Sequence, residues 1–291
     1  MEISKKSRSK AVNVILASGD NYADALAGVP LAYALDAPIL LVRNHRLDDA
    51  TMSEIKRLGA KNIYILGGTA AVGKDVFGTL SEKGYNVERI YGRSRFDTAV
   101  EIAARLQAVS GKPSEVFFAY SHNYPDALAI SGVAALKKAP VLYISGDGSL
   151  SDSTWEHLKS CGADKGTILG GTGVISGDAE DTIRAAGMND VGRIYGRNRY
   201  DTCMRINQTY SSLLCGDTIC VATGINFPDA LSGGVFTALR KAPLMLVNKE
   251  LTDDQKAFID SRNPRTVYVF GGAGAVSDFI LQQIDKLMPD N

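Results

Sequence analysis

The chain has 291 residues, a length that suggests two or three domains. Hydrophobic residues make up 45% of it and charged residues 22%, which are the proportions of an ordinary globular protein. The 32 basic residues balance the 32 acidic ones. This balance argues against a general nucleic-acid binder, because such a protein usually carries a basic excess.

No apolar run in the sequence approaches the roughly 20 residues that a membrane helix needs. The best candidate, from Ala32 to Val42, is too short and is interrupted by Asp36 and Pro38. The first ten residues, MEISKKSRSK, are rich in basic side chains, but no signal-type apolar stretch follows them. We therefore expect no membrane insertion, and the chain is either cytoplasmic or a fragment of an exported protein.

Four cysteines occur, at Cys161, Cys203, Cys215 and Cys220. Their spacing matches no zinc site and contains no Cys-x-x-Cys. Cys203 and Cys220 sit in helix-like and strand-like runs, where a free cysteine behaves as a small apolar residue. Core packing is therefore expected, in preference to a disulfide or a metal site.

One block of sequence occurs three times, as ASGDNYADALAG, AYSHNYPDALAI and ATGINFPDALSG. The aspartates of these blocks are 102 and 103 positions apart, at Asp24, Asp126 and Asp229. In every copy a proline follows the aspartate after 14 residues, and a Gly-Gly pair follows a later leucine after 20 residues. Such fixed spacings indicate internal repeats. The chain therefore contains one unit of about a hundred residues three times.

A fourth block, RIYGRSRFDTAVEIA from Arg89, recurs as RIYGRNRYDTCMRIN from Arg193 and has no occurrence before the first unit. Glu2 and Ile3 nevertheless align with the helical end of this block, so we expect the chain to begin inside a helix. A strand like the one at Arg89 is also missing after Leu287. These features favour a fragment cut from a longer protein, and the alternative is a degenerate first copy.

The elements of one unit are clearest in the second copy. Apolar residues at helical spacing predict a helix over Asp97–Leu106, which Asp97 or Thr98 can cap. The β-rich run Glu115–Tyr120 predicts a strand that ends in a polar loop. Pro125 then opens a helix through Leu136, since proline suits the first helical turn.

The second half of the unit continues the alternation. The continuously apolar run Pro140–Ile144 predicts a strand that is buried on both faces. Ser151 or Asp152 is expected to cap a helix through about Lys159. Three shorter elements complete the unit: a strand at Thr167–Leu169, a helix capped by Ser176 and a strand at Arg193–Tyr195.

Strands that alternate with helices predict a parallel sheet with right-handed crossovers. We therefore predict an α/β fold of three tandem units that resemble a Rossmann or flavodoxin topology. The expected boundaries are residues 1–92, 93–196 and 197–291, with the start of the first helix missing from the first unit.

Two loops of the repeat are expected at the carboxyl ends of the strands, where open parallel sheets bind their ligands. One loop carries an asparagine and the repeated aspartate: Asn21, Asp24, Asn123, Asp126, Asn226 and Asp229. The other carries the Gly-Gly pair and lacks the nucleotide-binding patterns, so a tight turn is the simpler interpretation. The aspartate is either a first-turn residue at the positive end of a helix or a ligand contact.

The repeats share no catalytic set. The three histidines, His45, His122 and His157, occupy different positions in the copies, and no G-x-S-x-G or H-E-x-x-H pattern occurs. Metal-dependent phosphoryl transfer would need a cluster of carboxylates, whereas each unit has one recurrent aspartate at this edge. Three similar copies of this kind are typical of a multivalent binder. We therefore predict a protein that is not an enzyme and that uses no cofactor and no metal.

Two arginines recur just before the predicted helix of the fourth block: Arg93 and Arg95, matched by Arg197 and Arg199. They are either a local structural clamp or groups that bind anions through paired hydrogen bonds. Tyr91 and Tyr195 lie beside them. These rings either stack on a sugar or complete the core.

Four motifs occur in order over about residues 2–288: an NYPDALA-type loop, a Pro-Ile-Leu-Leu strand, a Leu-Gly-Gly-Thr strand end and an R-x-R-x-D-T-A helix start. Together they resemble the type 2 cell wall binding repeat of Gram-positive surface proteins, which typically occurs as three tandem copies. The resemblance implies three Rossmann-like modules around a pseudo-threefold axis. It also implies an extracellular location at the cell wall and non-covalent binding to an anionic polymer, either teichoic-acid-like or a secondary polysaccharide.

The resemblance associates anchoring with the Pro-Ile-Leu-Leu strand, which is intact at Pro38, Ile39, Leu40 and Leu41. The other two copies depart from it, as Pro140, Val141, Leu142 and Tyr143 and as Pro243, Leu244, Met245 and Leu246. If this motif contacts the polymer directly, the first unit is expected to bind best. The residues themselves predict buried core strands, so a positional role stays open.

Three alternatives remain. Because family members usually carry a neighbouring domain, the chain can be the anchoring region of an N-acetylmuramoyl-L-alanine amidase whose catalytic domain is absent here. A rival from another class is a sugar- or nucleotide-directed enzyme at one unit's aspartate loop, for which His122 beside Asp126 is the nearest candidate. The third is an assembly module that binds other surface-layer proteins.

Overall fold

The computed structural model describes residues 1–43 and 46–288, except for the side chains of Pro228 and Asp229. Helices and strands alternate through this part of the chain in three units. The first unit contains α1 (Glu2–Ser7), β1 (Asn13–Ser18), α2 (Ala23–Ala34), β2 (Ile39–Val42), α3 (Asp49–Leu58), β3 (Asn62–Leu66), α4 (Lys74–Glu82) and β4 (Asn86–Ile90).

The other two units repeat this order of elements. The second contains α5 (Arg95–Ser110), β5 (Glu115–Tyr120), α6 (Pro125–Lys137), β6 (Val141–Ile144), α7 (Asp152–Cys161), β7 (Lys165–Leu169), α8 (Asp178–Ala185) and β8 (Asp190–Ile194). The third contains α9 (Arg199–Thr209), β9 (Thr218–Thr223), α10 (Pro228–Leu231), α11 (Gly233–Arg240), β10 (Leu244–Val247), α12 (Asp253–Arg262), β11 (Thr266–Phe270) and α13 (Asp278–Asp285). Because the third unit divides its central helix at Ser232, α10 and α11 together correspond to α2 and α6.

Each unit forms one parallel sheet. The strand orders are β2-β1-β3-β4, β6-β5-β7-β8 and β10-β9-β11 among the described residues. This is the order of a flavodoxin-like open sheet, in which the first strand lies inside and the second lies at the edge. In the first sheet, for example, Ile15 pairs with Ile39 on one side and with Tyr64 on the other. The predicted α/β class with three parallel-sheet repeats is confirmed.

Local sequence explains where the helices begin. Ser94 caps α5, because its Oγ accepts a hydrogen bond from the N–H of Asp97 and the Asp97 carboxylate accepts one from the N–H of Ser94. This reciprocal pair is a capping box. The prediction that Asp97 or Thr98 caps this helix is therefore wrong. Ser151 caps α7 as predicted, by accepting from the N–H of Thr154 at 3.2 Å.

Three central helices hold the units together. α2, α6 and α11 contact one another pairwise and so surround a pseudo-threefold axis. Their approach is close, since a Cβ atom on Gly132 would lie 2.3 Å from Oγ1 of Thr237, and one on Gly234 would lie 2.6 Å from Oγ of Ser131. A larger residue at either position would force the facing side chains, or the helices that carry them, to move.

The first helix of each unit packs against a neighbouring unit. α5 contacts α2, α9 contacts α6, and α1 contacts α11, so the three units close into a ring. One hydrophobic cluster runs through the central helices and the inner faces of the sheets, and it contains residues of all three units. Separate clusters lie under the outer helices of the first and third units. The units therefore share a continuous core.

None of the helices in the described part of the chain has the length and hydrophobicity needed to span a membrane. The four cysteines are free thiols, and Cys161, Cys203 and Cys220 are buried. Cys203 Sγ lies 3.0 Å from the carbonyl oxygen of Leu244, in the interior of the third unit. These cysteines pack in the core, as the sequence predicted.

Candidate functional site

The strand order reverses between β1 and β3. Residues at or just after the carboxyl ends of these two strands, among them Ser18 and Gly68, line a crevice there. The loop after β1 carries Asn21, whose Oδ1 accepts a hydrogen bond from the N–H of Ala23 at 3.1 Å. Asn123 and Asn226 each accept from the N–H of the next residue, at 3.0 and 2.9 Å. The three predicted asparagines therefore shape the loops that begin the central helices.

Asp24 and Asp126 lie in the first turns of α2 and α6 and contact the Gly-Gly loops of their own units. A Cβ atom on Gly67 would lie 2.2 Å from Oδ2 of Asp24, and one on Gly170 would lie 2.9 Å from Oδ2 of Asp126. The two glycines have φ angles of +94° and +112°, a conformation that other residues adopt at a cost. The Gly-Gly pair is thus a tight turn that also makes room for the aspartate.

The two aspartates titrate in an unusual range. Burial raises the pKa of Asp24 and of Asp126 to about 6, and the guanidinium groups of Arg95 and Arg199 offset this only in part. Both carboxylates are therefore charged at neutral pH and lose their charge in mildly acidic solution. Asp229, the third member of the set, has a side chain that lies outside the described residues.

Arg95 and Arg199 join adjacent units. The Arg95 guanidinium donates to the carbonyl oxygen of Ser121 in the second unit and lies 5.8 Å from the ring centre of Tyr22 in the first. The hydroxyl of Tyr22 donates to the same carbonyl at 3.1 Å. Arg199 repeats the arrangement one unit further along, 5.7 Å from the ring centre of Tyr124. These two arginines are structural clamps between units.

An aromatic cluster that sequence reasoning missed lies at the same junctions. It consists of Tyr22, Tyr124 and Phe227, one ring from each unit, with centroids 5.3 to 5.8 Å apart. All three occupy the aromatic position of the repeated block. The signal was therefore present in the sequence, as an aromatic residue retained at one position in all copies.

Arg93 and Arg197 are exposed at the same edge. The side chain of Arg197 is 85% exposed and forms a 2.7 Å ion pair with Asp201, four residues later. A surface ion pair of this kind contributes little stability. The guanidinium groups of Arg93 and Arg197 are therefore accessible to an anion from solution, unlike those of the clamp arginines.

A polar cavity of about 460 Å³ opens at the junction of the first and second units. Tyr91 lies beside its Gly68 wall with 56% of the residue exposed, and Tyr195 is 52% exposed at the corresponding place in the second unit. The cavity brings together the predicted asparagine, aspartate and arginines of this junction. Its lining includes Ser18, Asp20, Asn21, Asp24, Gly68, Arg93 and Arg95.

The Pro-Ile-Leu-Leu strands lie inside the fold. β2, β6 and β10 are buried throughout, except that Leu41 is partly exposed. The carbonyl of Pro38 accepts a hydrogen bond from the N–H of Ile15, and the hydroxyl of Tyr143 donates to the carbonyl of Ala23 in the first unit at 2.7 Å. Burial supports the positional role of these strands, and their contact with polymer stays a prediction.

The histidines occupy unrelated surroundings. His122 is exposed, and its Nδ1 lies 2.8 Å from Oγ of Ser121, while burial lowers the pKa of the half-buried His157. His45 lies outside the described residues. Among the residues that the structure describes, no three histidine, cysteine, aspartate or glutamate side chains are grouped so that they could hold a metal ion.

Known proteins are similar to this chain in sequence and in fold. The model of the cell wall binding domain 2 (CWB2) matches residues 1–77, 89–180 and 193–281. The N-acetylmuramoyl-L-alanine amidase LytC of Bacillus subtilis is 30% identical over 285 residues, which cover 98% of this chain and 55% of LytC. The amidase enhancer of the same organism is 28% identical over 237 residues, which cover 81% of this chain and 31% of that protein.

A solved structure agrees with these matches. Cwp8 from Clostridium difficile superposes with a TM-score of 0.87 at 29% sequence identity, over 99% of this chain and 49% of Cwp8. The chain thus spans about half the length of LytC and of Cwp8, and less of the amidase enhancer. The family model matches one segment in each repeat and most of the chain. The chain therefore belongs to the cell wall binding domain 2 family.

Proposed function

We propose that this chain anchors a larger surface protein to the cell wall, by binding an anionic wall polymer non-covalently at the strand-end edges of its units. The main support for the proposal is the polar cavity at the junction of the first and second units, which the exposed Arg93 helps to line. A guanidinium group binds phosphate or carboxylate through paired hydrogen bonds. The exposed ring of Tyr91 beside it offers an apolar face to a sugar.

Repetition supports the same function. At the junction of the second and third units, Arg197 and Tyr195 are exposed. They correspond in the repeat to Arg93 and Tyr91 at the junction of the first and second units. A polymer with a repeating charge can contact both edges at once. Linked weak sites then give a higher overall affinity than either edge alone.

The matched proteins support an anchoring role beside other domains. LytC is an amidase by name and is nearly twice as long as the region that it shares with this chain. Each unit here repeats one aspartate at its strand-end edge, and the carboxylates of Asp24 and Asp126 pack against glycine turns. We therefore assign wall attachment to the present chain, at the cell surface, and leave catalysis to neighbouring domains of such proteins.

A binding assay with purified Gram-positive cell walls tests the proposal. The chain should bind saturably, and binding should weaken as sodium chloride is raised, because salt screens exposed charges. The double variant Arg93→Glu with Arg197→Glu should bind at least about tenfold more weakly, since hydrogen bonds to charged groups contribute ~1.5–3 kcal/mol each.

Arg265→Glu is the matched control for this assay. Arg265 has a side chain that is 84% exposed, and it precedes β11 at the amino end of the third sheet, away from the proposed edge. Combined with Lys61→Glu, at the exposed residue that precedes β3, Arg265→Glu gives the same change in net charge as the double variant and should leave wall binding nearly unchanged. If this control pair weakens binding as much as Arg93→Glu with Arg197→Glu does, only net charge matters and the proposed edge is wrong.

A further inference from the structure

Two carboxylates share the polar cavity at the junction of the first and second units with two arginines. Asp20 and Asp24 line this cavity, and so do Arg93 and Arg95. The formal charges of the four side chains cancel when both carboxylates are ionised. An anion that enters the cavity at neutral pH therefore meets two negative groups as well as the guanidinium groups that attract it.

The surrounding structure holds the Asp24 carboxylate in the wall of this cavity. Asp24 lies in the first turn of α2, which packs against α5 and α6. Its carboxylate touches the Gly67 turn so closely that a Cβ atom on the glycine would lie 2.2 Å from Oδ2 and 3.1 Å from Cγ of Asp24. Uptake of a proton removes the negative charge of this group without any repacking.

Ionisable groups from three other elements surround Asp24. They come from the loop after β1, from the start of α5 and from β6: Asp20, Arg93, Arg95, Asp97 and Tyr143. Hydrogen bonds from Ser153 and Ser94 hold the pKa of Asp97 below its usual range, and burial raises the pKa of Tyr143 well above 10. Asp97 therefore stays charged and Tyr143 stays neutral in mildly acidic and in neutral solution.

An anion in the cavity favours the protonated form of Asp24. Burial already raises the pKa of this carboxyl group to about 6, and the attraction of Arg95 offsets this only in part. A second negative charge close to the carboxylate disfavours its ionised form further, because like charges repel strongly where the effective dielectric constant is low. Binding of the anion and binding of the proton therefore support each other.

The second junction repeats this arrangement. The Asp126 carboxylate packs against Gly170, and burial raises its pKa to about 6 with a partial offset from Arg199. The buried Cys203 thiol interacts with the same carboxylate and stays neutral, since burial raises its pKa to about 12. The other groups that correspond in the repeat to those around Asp24 are His122, Arg197 and Asp201.

We propose that protons and the anionic polymer bind cooperatively at the strand-end edges, and that Asp24 and Asp126 are the groups that take up the protons. This coupling rests on the proposed function, since it places the anion at the same edges. Protonation of Asp24 changes the formal charge of the first cavity from zero to +1, so attachment strengthens as the surroundings of the wall become acidic. The effect is reciprocal, because a polymer that binds the protonated form more tightly also draws protons onto it.

Sedimentation with purified walls that carry a phosphodiester polymer tests the coupling, because a phosphodiester stays ionised in mildly acidic solution. At constant ionic strength the wild type should bind at least about fivefold more tightly at pH 5 than at pH 7.5, which is the lower end of the coupling typical between two binding sites. Asp24→Asn with Asp126→Asn should bind at both pH values as tightly as the wild type does at pH 5, because asparagine has the size of aspartate without its charge.

Asp75→Asn with Asp178→Asn is the matched control. It removes two charges from exposed first-turn positions of α4 and α8 and should keep the pH dependence of the wild type. His122 is present in all three proteins, so any contribution of its ring cancels. Equal affinity of the wild type at the two pH values, or an unchanged pH dependence in Asp24→Asn with Asp126→Asn, would overturn the coupling while attachment itself stands. Absence of wall binding at both pH values would overturn the proposed function as well.

Calorimetry on the wild type gives a second measurement that needs no variant. Titration with purified soluble teichoic acid at about pH 6.5, in two buffers that differ in ionisation enthalpy, measures how many protons the protein takes up when it binds the polymer. Net proton uptake is expected. Equal binding heats in the two buffers, or release of protons, would overturn the proposal even if Asp24→Asn with Asp126→Asn does not fold.

Discussion

Replacing Asp24 with asparagine tests whether the buried charge of this carboxylate destabilises the folded protein at neutral pH. The pKa of Asp24 rises from 3.8 to about 6 because the carboxyl group is buried beside the Gly67 turn. At about 1.4 kcal/mol for each tenfold change in proton affinity, this corresponds to ~3 kcal/mol at most. The charged aspartate is therefore a destabilising group in the folded protein.

The direction of the pH effect follows from the raised pKa. The folded protein binds this proton more tightly than the unfolded chain does, so the stability contributed by the protonated form is present below about pH 4. It is lost as the pH rises through about 6. Asp24→Asn keeps the size of the side chain and removes the titration. The variant should therefore equal the wild type near pH 4 and exceed its stability by up to ~3 kcal/mol near pH 7.5.

Urea unfolding of both proteins across this pH range measures the difference directly, because the titration of all other groups cancels between them. Asp75→Asn is the matched control. Asp75 lies in the first turn of α4, as Asp24 lies in the first turn of α2, but its side chain is exposed. A difference between wild type and Asp24→Asn that stays constant from pH 4 to pH 7.5 would show that burial does not raise the pKa of Asp24.

Three further substitutions test the scaffold by urea or thermal unfolding. Gly67→Ala should lower the free energy of unfolding by more than ~2 kcal/mol, because Gly67 has a positive φ angle and lies close to the Asp24 carboxylate. Its control, Gly68→Ala, should lower it little, since the new Cβ would meet nothing closer than 3.8 Å. Arg199→Ala should cost ~2 kcal/mol through lost charge-assisted hydrogen bonds between units, and an unchanged melting temperature would contradict the clamp. Glu115→Ala should lower the free energy of unfolding by ~3 kcal/mol, because it removes the buried carboxylate that lies 3.1 Å from Lys137 Nζ. Glu115→Gln should recover part of this loss.

The sequence predicts the repeats and the order of elements well, because periodic apolar patterns and fixed spacings report on local structure. The strand Glu115–Tyr120 has the predicted bounds, and α6 starts at Pro125 as expected. The start of α5 was missed because Ser94 and Asp97 form a capping box whose geometry depends on the actual turn. Short-range chemistry could have suggested this pair, since a serine precedes an acid by three residues.

Contacts between distant segments could not be predicted. The pairing of Asp24 with Gly67 joins positions that are far apart in the chain, and it explains the Gly-Gly turn and the raised pKa together. The sequence likewise left two roles open for both arginines of each pair. Packing separates them, since Arg95 lies over Tyr22 between units while Arg93 stays exposed. The R-x-R pattern alone does not show which arginine is buried between units and which is exposed.

Sedimentation with purified cell walls measures whether this chain attaches to an anionic polymer of the wall. The most direct test compares the fraction of the chain that sediments with intact walls and with the same walls after chemical removal of the anionic polymer. If the polymer is the ligand, binding to intact walls should be saturable and salt-sensitive, and most binding should be lost on stripped walls. Equal sedimentation with both preparations would show that the polymer is not the ligand.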